Sequence, residues 1–178
     1  MHRQDGESPS LIKIINNFFD NDKYNQVTHY IKNNIYFTPR YFPGTKEKTK
    51  ENYYGDRFVL EQDKNLYDIF IKQAEEKFKL KINKTYDSGI DLRNLSVWQP
   101  HTDSNYSKIN IFIMLDGPIG VTTGTCFYTD NELDVHVGFR PNRAVMFPSN
   151  YLHSPHKSDV KNIRRFTATL FVTEYEEI

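Results

Sequence analysis

A mainly β protein with N-terminal helices, two β layers wrapped as a jelly roll and supported by those helices, is the fold class this sequence predicts. Three observations carry that prediction. The 178 residues include 13 Phe and 12 Tyr, and aromatic and β-branched side chains pack well on a pleated surface. From about residue 90 onward short apolar segments alternate with turn residues, the pattern of many short strands. Ahead of them lie segments with helical spacing, able to cover one face of a sheet, and that order points to a layered sandwich. The length suits a single domain over 1–178, with helical support and loop in 1–89 and the jelly-roll core in 90–178.

Taken in order, Ser8-Pro9-Ser10 can start a helix, and Leu11, Ile14, Ile15, Phe18 and Phe19 recur at the spacing of one buried stripe. A second helix is expected after Asn21-Asp22, with Tyr24, Val27, Tyr30 and Ile31 on its apolar side. Between Tyr36 and Phe58, Pro39, Pro43-Gly44, the charged run Lys46–Glu51 and Gly55 read as a long irregular loop. Such loops are usually functional or disordered; the run Lys46–Glu51 is most simply a solvated loop, although a mobile segment with Tyr53, Tyr54 and Arg57 could form a lid over the substrate. Leu66, Ile69, Phe70, Ala74 and Phe78 predict a third helix from about Asp63 to Lys79. Strands are expected over Leu92–Trp98, Ile109–Leu115, Val121–Tyr128, Val135–Phe139, Arg143–Phe147 and Arg165–Thr173, separated by turns such as Asp116-Gly117-Pro118 and Arg140-Pro141-Asn142.

Composition narrows the function classes. Lys plus Arg number 23 and Asp plus Glu 23, so no global positive field exists to hold a polyanion, and nucleic acid is disfavoured as a partner. No apolar run approaches the roughly 18 residues that cross a bilayer, and the polar start lacks the apolar stretch of a signal peptide. The single cysteine, Cys126, excludes an intrachain disulfide framework and a zinc site built on several thiolates; it is compatible with a reducing compartment, and a cytoplasmic protein is expected.

The most informative residues are His101 and Asp103 in Trp98-Gln99-Pro100-His101-Thr102-Asp103, answered by His153 in Phe147-Pro148-Ser149-Asn150-Tyr151-Leu152-His153. Residues i and i+2 of an extended chain share a face, so His101 and Asp103 can project into one cavity, and His153, 52 positions after His101, must come from a neighbouring strand. Two imidazoles and one carboxylate on one face of an octahedron leave three positions open, the arrangement of non-haem Fe(II) sites. Such a site is complemented by an anionic chelator. If that is a 2-oxo acid, its far carboxylate needs a buried cation with two donors, for which arginine suits better than lysine. Arg165 and Thr167 fit, sharing a face of the last strand with Thr169 and Phe171. Phe166, Ala168, Leu170 and Val172 form the opposite, apolar face; Arg164 belongs on that side and is the fallback.

At these residues the chain resembles the 2-oxoglutarate and Fe(II)-dependent oxygenase superfamily, especially its small prolyl-4-hydroxylase-like members, over roughly Leu92 to Val172. The iron-binding His-x-Asp of the family corresponds to His101-Thr102-Asp103 and its distal histidine to His153. Its cosubstrate-binding Arg-x-Ser/Thr corresponds to Arg165-Phe166-Thr167, 12 positions later. Gly124-Thr125-Cys126-Phe127-Tyr128 resembles the Gly-rich start of a middle strand, although Thr123 stands where many members carry a second glycine. The resemblance implies a double-stranded β-helix, Fe(II) as metal, 2-oxoglutarate and O2 as cosubstrates, and oxidation, by default hydroxylation, of a peptide or small-molecule substrate. Trp98, Asn110 and Tyr128 are further candidates to touch 2-oxoglutarate, or ordinary core.

Each motif has a plainer reading. His-x-Asp alone occurs by chance, for example in an exposed turn capped by Asp103. His156 competes with His153, and a loop position suits it better. His2, His29 and His136 have no partnered context, His136 reading as strand surface, and Cys126 reads as a packed small hydrophobe. Gly117, Gly120 and Gly124 lack the Gly-Lys-Ser/Thr of a phosphate loop and read as turns. Two other functions fit the same fold: a non-catalytic jelly-roll binding module, and a cupin-like metalloenzyme without 2-oxoglutarate, which would leave Arg165 unexplained.

Overall fold

The computed structural model describes residues 12–41, 44, 46–49, 52–94, 99–156 and 164–178. Eleven strands and two α-helices follow one another as β1 (Lys13–Asn16), α1 (Asn21–Asn34), β2 (Thr38–Tyr41), β3 (Tyr53–Val59), α2 (Lys64–Phe78), β4 (Leu80–Thr85), β5 (Gly89–Asn94), β6 (Ile109–Asp116), β7 (Gly120–Thr129), β8 (Glu132–Phe139), β9 (Arg143–Pro148), β10 (Leu152–Pro155) and β11 (Arg164–Glu177). Eight of the strands form one sheet, in the order β1-β9-β6-β11-β5-β3-β2 with β4 also paired to β11; β10-β7-β8 form a second, and every pairing is antiparallel. This is the helix-supported jelly roll expected from the sequence.

The large sheet is buried on both faces, and β6 shows how. Ile109, Ile111, Ile113 and Leu115 point to one side and join Val27 and Ile31 of α1 and Leu66, Phe70, Ala74 and Phe78 of α2 in the main core. Met114 points the other way and meets Phe127, Val137, Phe139, Val145 and Phe147 between the two sheets. Ala168, Leu170 and Val172 of β11 lie in the helix-side core, as their alternation requires. Both helices are capped locally: Asp20 accepts from the Lys23 N–H at 2.8 Å and Asp63 from the Leu66 N–H at 3.0 Å. Lys79, in the left-handed conformation at φ 57°, ends α2.

The first 89 residues depart from the expected helical support. Leu11 lies outside the described residues, but the stripe expected from Ile14 to Phe19 is a strand and a turn. Ile14 and Ile15 are β-branched and pair with Val145 and Ala144. Asn17 at φ 55° turns the chain, and Phe18 and Phe19 are then held by Asn142: Phe18 N–H donates to its carbonyl at 2.9 Å, Phe19 N–H to its Oδ1 at 2.9 Å, and its Nδ2 to the Phe19 carbonyl at 2.8 Å. The expected loop from Tyr36 to Phe58 likewise contributes β2 and β3, which extend the large sheet beyond β5. Strands β4 and β10, not expected from the sequence, complete the two layers. The expected strand Leu92–Trp98 is β5 up to Asn94; its remainder, Trp98 included, lies outside the described residues.

Candidate metal centre and anion pocket

His101, Asp103 and His153 come together although 52 residues separate the histidines: one ligand atom from each lies within 4.8 Å of the others. The joining device is a backbone bridge, in which His101 and His153 exchange N–H···O bonds of 2.9 Å in both directions. Asp103 N–H donates to the Ser149 carbonyl at 2.8 Å, so the His101–Asp103 segment runs beside β10 as an additional, irregular edge of the small sheet. With i and i+2 on one side, the Asp103 carboxylate faces both imidazoles, at 3.9 Å from His101 Nε2 and 3.4 Å from His153 Nε2.

The ring nitrogens are divided in a way that suits a metal. Nδ1 of His101 lies 3.0 Å from the Gln99 carbonyl and Nδ1 of His153 lies 2.9 Å from the Tyr151 carbonyl. Carbonyls only accept, so each Nδ1 carries a proton and each Nε2 is turned toward Asp103, donating to the carboxylate when the ring is protonated and offering a lone pair to a metal when it is neutral. Asn110, fully buried on β6, donates from Nδ2 to Asp103 Oδ2 at 2.7 Å, and Ser107 donates to Asn110 Oδ1 at 2.6 Å, which orients the amide. Burial, then the adjacent His153, holds His101 below its ordinary pKa. Burial works against the charge of Asp103, but the hydrogen bond and charge of His153, the charge of His101 and the Asn110 amide outweigh it, and the carboxyl sits below its ordinary value. Neutral imidazoles and an ionised carboxylate are the donor set a ferrous ion takes. The rings of Phe147 and Phe127, centred 4.9 and 6.1 Å from that of His153, wall the site on one side.

The triad borders a cavity of about 400 Å³ whose lining includes Arg165, Thr169 and Phe171 of β11. Arg165 is 3% exposed. Its Nη1 donates to the Gly124 carbonyl at 2.8 Å, Phe112 and Phe139 rings flank the guanidinium at 5.6 and 5.8 Å, and its Nε is buried without a hydrogen-bond partner among the described residues. Burial, with Arg93 adding and Asp91 opposing, pushes its pKa down to about 9. A buried guanidinium answered by one neutral carbonyl is the cradle a carboxylate fills.

The wider cavity wall is cationic. Cross-strand pairing places Arg40 opposite Gly55, Gly55 opposite Arg93 and Arg93 opposite Arg165, one row across β2, β3, β5 and β11. Gly55 keeps the row open, because a Cβ there would stand 2.7 Å from the Leu92 carbonyl and 3.2 Å from Arg93 Cγ. One step along, Arg57 grips Asp91 with Nη1 at 2.8 and 3.0 Å and also donates to the Asp87 carbonyl. Arg93 reaches the same Asp91 at 3.2 Å. Tyr54, Tyr86 and Tyr106 complete the polar rim.

Of the residues expected from sequence, His101, Asp103 and His153 meet, Arg165 and Asn110 join them in one cavity, and Thr167 is buried between Arg165 and Thr169 on the same face of β11. Arg164 is exposed at the strand's start. Tyr128 does not line this cavity: it stands on the outer side of β7, where its hydroxyl meets that of Ser154 at 2.9 Å. Alternation decides this, since Thr125 and Phe127 take the inward positions. Gly124 is required where it stands, at φ 122°: a Cβ there would collide with the Val137 carbonyl and stand 2.9 Å from Gly138 Cα; a register shift precedes it, so β7 begins at Gly120 without a second glycine at 123. Sequence reasoning missed Arg40, Asp91 and Arg93. The i, i+2 pattern Gly89, Asp91, Arg93 was a usable signal, polar residues on one face of a strand whose other face carries Ile90 and Leu92.

No protein-family model matches the chain, and no curated protein sequence is similar to it. Solved structures are similar in shape. The non-haem α-ketoglutarate-dependent epimerase SnoN from nogalamycin biosynthesis superposes with a TM-score of 0.62 at 11% identity, covering 93% of this chain and 77% of its own. A prolyl-4-hydroxylase from Pseudomonas putida gives 0.62 at 10% identity, covering 92% of each chain. A prolyl hydroxylase from Trichoplax adhaerens, solved with a hypoxia-inducible-factor peptide fragment, gives 0.57 at 13% identity, covering 91% and 83%. At such identities the likeness establishes the fold: the chain has the jelly roll shared by this α-ketoglutarate-dependent epimerase and these prolyl hydroxylases.

Proposed function

We propose that this protein is an Fe(II)- and 2-oxoglutarate-dependent dioxygenase, most simply a hydroxylase, with His101, Asp103 and His153 as iron ligands. The observation that carries the reading is Arg165: a guanidinium buried in the same cavity as the triad and, among the described residues, paired with no carboxylate. A binding module has no need of both features, and a metal enzyme without 2-oxoglutarate has no need of the arginine.

Iron bound at the triad would supply O2 activation coupled to decarboxylation of 2-oxoglutarate. The chain's own residues do the rest. Arg165 takes the far carboxylate of 2-oxoglutarate in two hydrogen bonds, and the Thr167 hydroxyl on the same strand face adds a third. Asn110 holds Asp103 by one oxygen, which limits the carboxylate's freedom to swing as ligands exchange around it. Phe112, Phe127, Phe139 and Phe147 exclude water around these groups, so the few polar contacts act in a low dielectric.

The substrate is a peptide or a small molecule, and the arginine row favours one that carries a carboxylate or phosphate beside the carbon to be oxidised. Arg40, Arg57, Arg93 and Arg165 line the cavity with Asp87 and Asp103, and Asp91 is paired with Arg57 and Arg93, which leaves an excess of one positive charge. SnoN, crystallised with a nogalamycin compound, and the Trichoplax enzyme, crystallised with a peptide, are examples of small-molecule and peptide ligands on this fold. Among the described residues no helix is long and apolar enough to cross a membrane, and the buried free thiol of Cys126 is compatible with a cytoplasmic setting.

The test is an anaerobic titration of the metal-free protein with Fe(II) and then 2-oxoglutarate, following the visible metal-to-ligand charge-transfer band. The band is expected in the wild type, absent in His153→Ala, and dependent on far more 2-oxoglutarate in Arg165→Ala. Iron binding without a band would replace this reading by a cupin-like enzyme; no iron binding would leave the binding module. Once the band is found, 2-oxoglutarate consumption under air should be stimulated more by anionic candidates than by their neutral amides, a preference that Arg40→Met should weaken.

A further inference from the structure

We propose that Cys126, His136 and His156 form a second metal site, on the outer face of the small sheet, of the mixed thiolate and imidazole kind that takes zinc. One ligand atom from each lies within 4.8 Å of the others, although no sequence motif pairs them. The sheet assembles them: Cys126 of β7 is directly opposite His136 of β8. On its other side Cys126 is opposite Ser154 of β10, and His156 follows two residues later, tied to β7 by its N–H to the Gly124 carbonyl at 2.9 Å. Thr125, Phe127 and Val137 occupy the alternate, inward positions, so this cluster and the His101, Asp103, His153 triad lie on opposite sides of one sheet.

Two details point to a ligand rather than to chance proximity. His136 Nε2 lies 3.0 Å from the Thr123 carbonyl, so Nε2 carries the proton and Nδ1 keeps its lone pair, the tethered tautomer in which metal-binding histidines are held. Nδ1 of His156 is buried and has no hydrogen-bond partner among the described residues, an orphaned lone pair that a metal would satisfy. The two rings stand 4.9 Å apart at 52°, neither stacked nor edge-on, beside a thiol that is itself buried. A thiolate with two imidazoles is a soft, borderline donor set suited to zinc, with a fourth tetrahedral position for water. The site has a route to the cavity. The Gly124 carbonyl that accepts the His156 N–H is the one that accepts Arg165 Nη1, and His153 lies three residues before His156. A metal on the outside would therefore steady the strand and the carbonyl that hold the inner site.

Cobalt(II) is the probe, because a thiolate ligand gives it a near-ultraviolet charge-transfer band and tetrahedral geometry gives it strong visible bands. Chelator-treated protein carrying His153→Ala, which removes the inner triad, should still bind one Co(II) per chain with the thiolate band, displaceable by zinc. Cys126→Ser should abolish that band, and His136→Gln, at a half-exposed position that folding tolerates, should weaken Co(II) binding at least tenfold. Zinc should raise the melting temperature of the His153→Ala protein and not that of the same protein with Cys126→Ser. Cobalt binding without a thiolate band, or a band indifferent to His136→Gln, would overturn the proposal. Neither result bears on the oxygenase reading, since the inner triad is disabled throughout.

Discussion

Arg57 and Arg165 stand on the same face of one sheet with a single strand between them, are 7% and 3% exposed, and meet opposite electrostatic surroundings. Arg57 is answered within the chain: Asp91 takes it bidentately and Asp87 adds a carbonyl and a carboxylate. Burial alone would lower its pKa, but Asp91 and Asp87 reverse that and raise it. Arg165 has one backbone carbonyl, two aromatic rings and another arginine across the strand. Two buried cations of the same kind thus mark different tasks. A guanidinium whose counter-charge is built in belongs to the architecture, and one whose counter-charge is missing belongs to a ligand.

Replacement experiments can break this contrast. The largest expected effect is Arg57→Met, which leaves buried Asp91 with Arg93 as its remaining ion-pair partner among the described residues and should cost about 3 kcal/mol, read as a lowered midpoint in urea; a loss under 1 kcal/mol would remove the distinction. Next comes ligand linkage: with a redox-inert metal bound, 2-oxoglutarate at a hundred times its Kd should stabilise the wild type by about 2.7 kcal/mol and leave Arg165→Met unmoved, by thermal unfolding. Gly89→Ala should cost roughly 1–3 kcal/mol, because a Cβ there would stand 2.5 Å from Arg57 Cζ. Combined with Arg57→Met the penalty should disappear, and persistence in the double variant would show that the clash lies elsewhere. Smallest is Arg165→Met without ligand, expected within about 1 kcal/mol of the wild type or more stable, since an apolar replacement relieves an unanswered buried charge.

Legibility from sequence followed the range of the interactions. Helix α2 was readable because its stripe, Leu66, Phe70, Ala74 and Phe78, and its Asp63 cap are local. The apolar run before residue 20 was misread for the converse reason: Ile14, Ile15, Phe18 and Phe19 match a helical stripe, but β9 offers a ladder and Asn142, 123 residues from Phe19, takes the turn's backbone groups. Strands β2 and β3 were hidden by Pro39 and Gly55. An edge position accommodates the proline, and the glycine is where Arg93 needs room.

The candidate sites divide along the same line. His101, Asp103, His153 and Arg165, which share one cavity, were nominated by motif spacing and by strand alternation, a rule about which side chains share a face that needs no coordinates. Tyr128 was misplaced by one step of the same alternation. Residue types and two-residue spacing therefore determined the inner donor set, the cation expected to meet an anion, and the layered β class. Only the tertiary structure decided what stands opposite what: Asp91 against Arg57; Arg93, not an acid, against Arg165; Arg40 and Arg93 in one row; and His136 and His156 beside Cys126. Cross-strand neighbours are set by register between segments tens of residues apart, and that register is decided by burial of whole sheet faces, a property no local stretch of sequence contains.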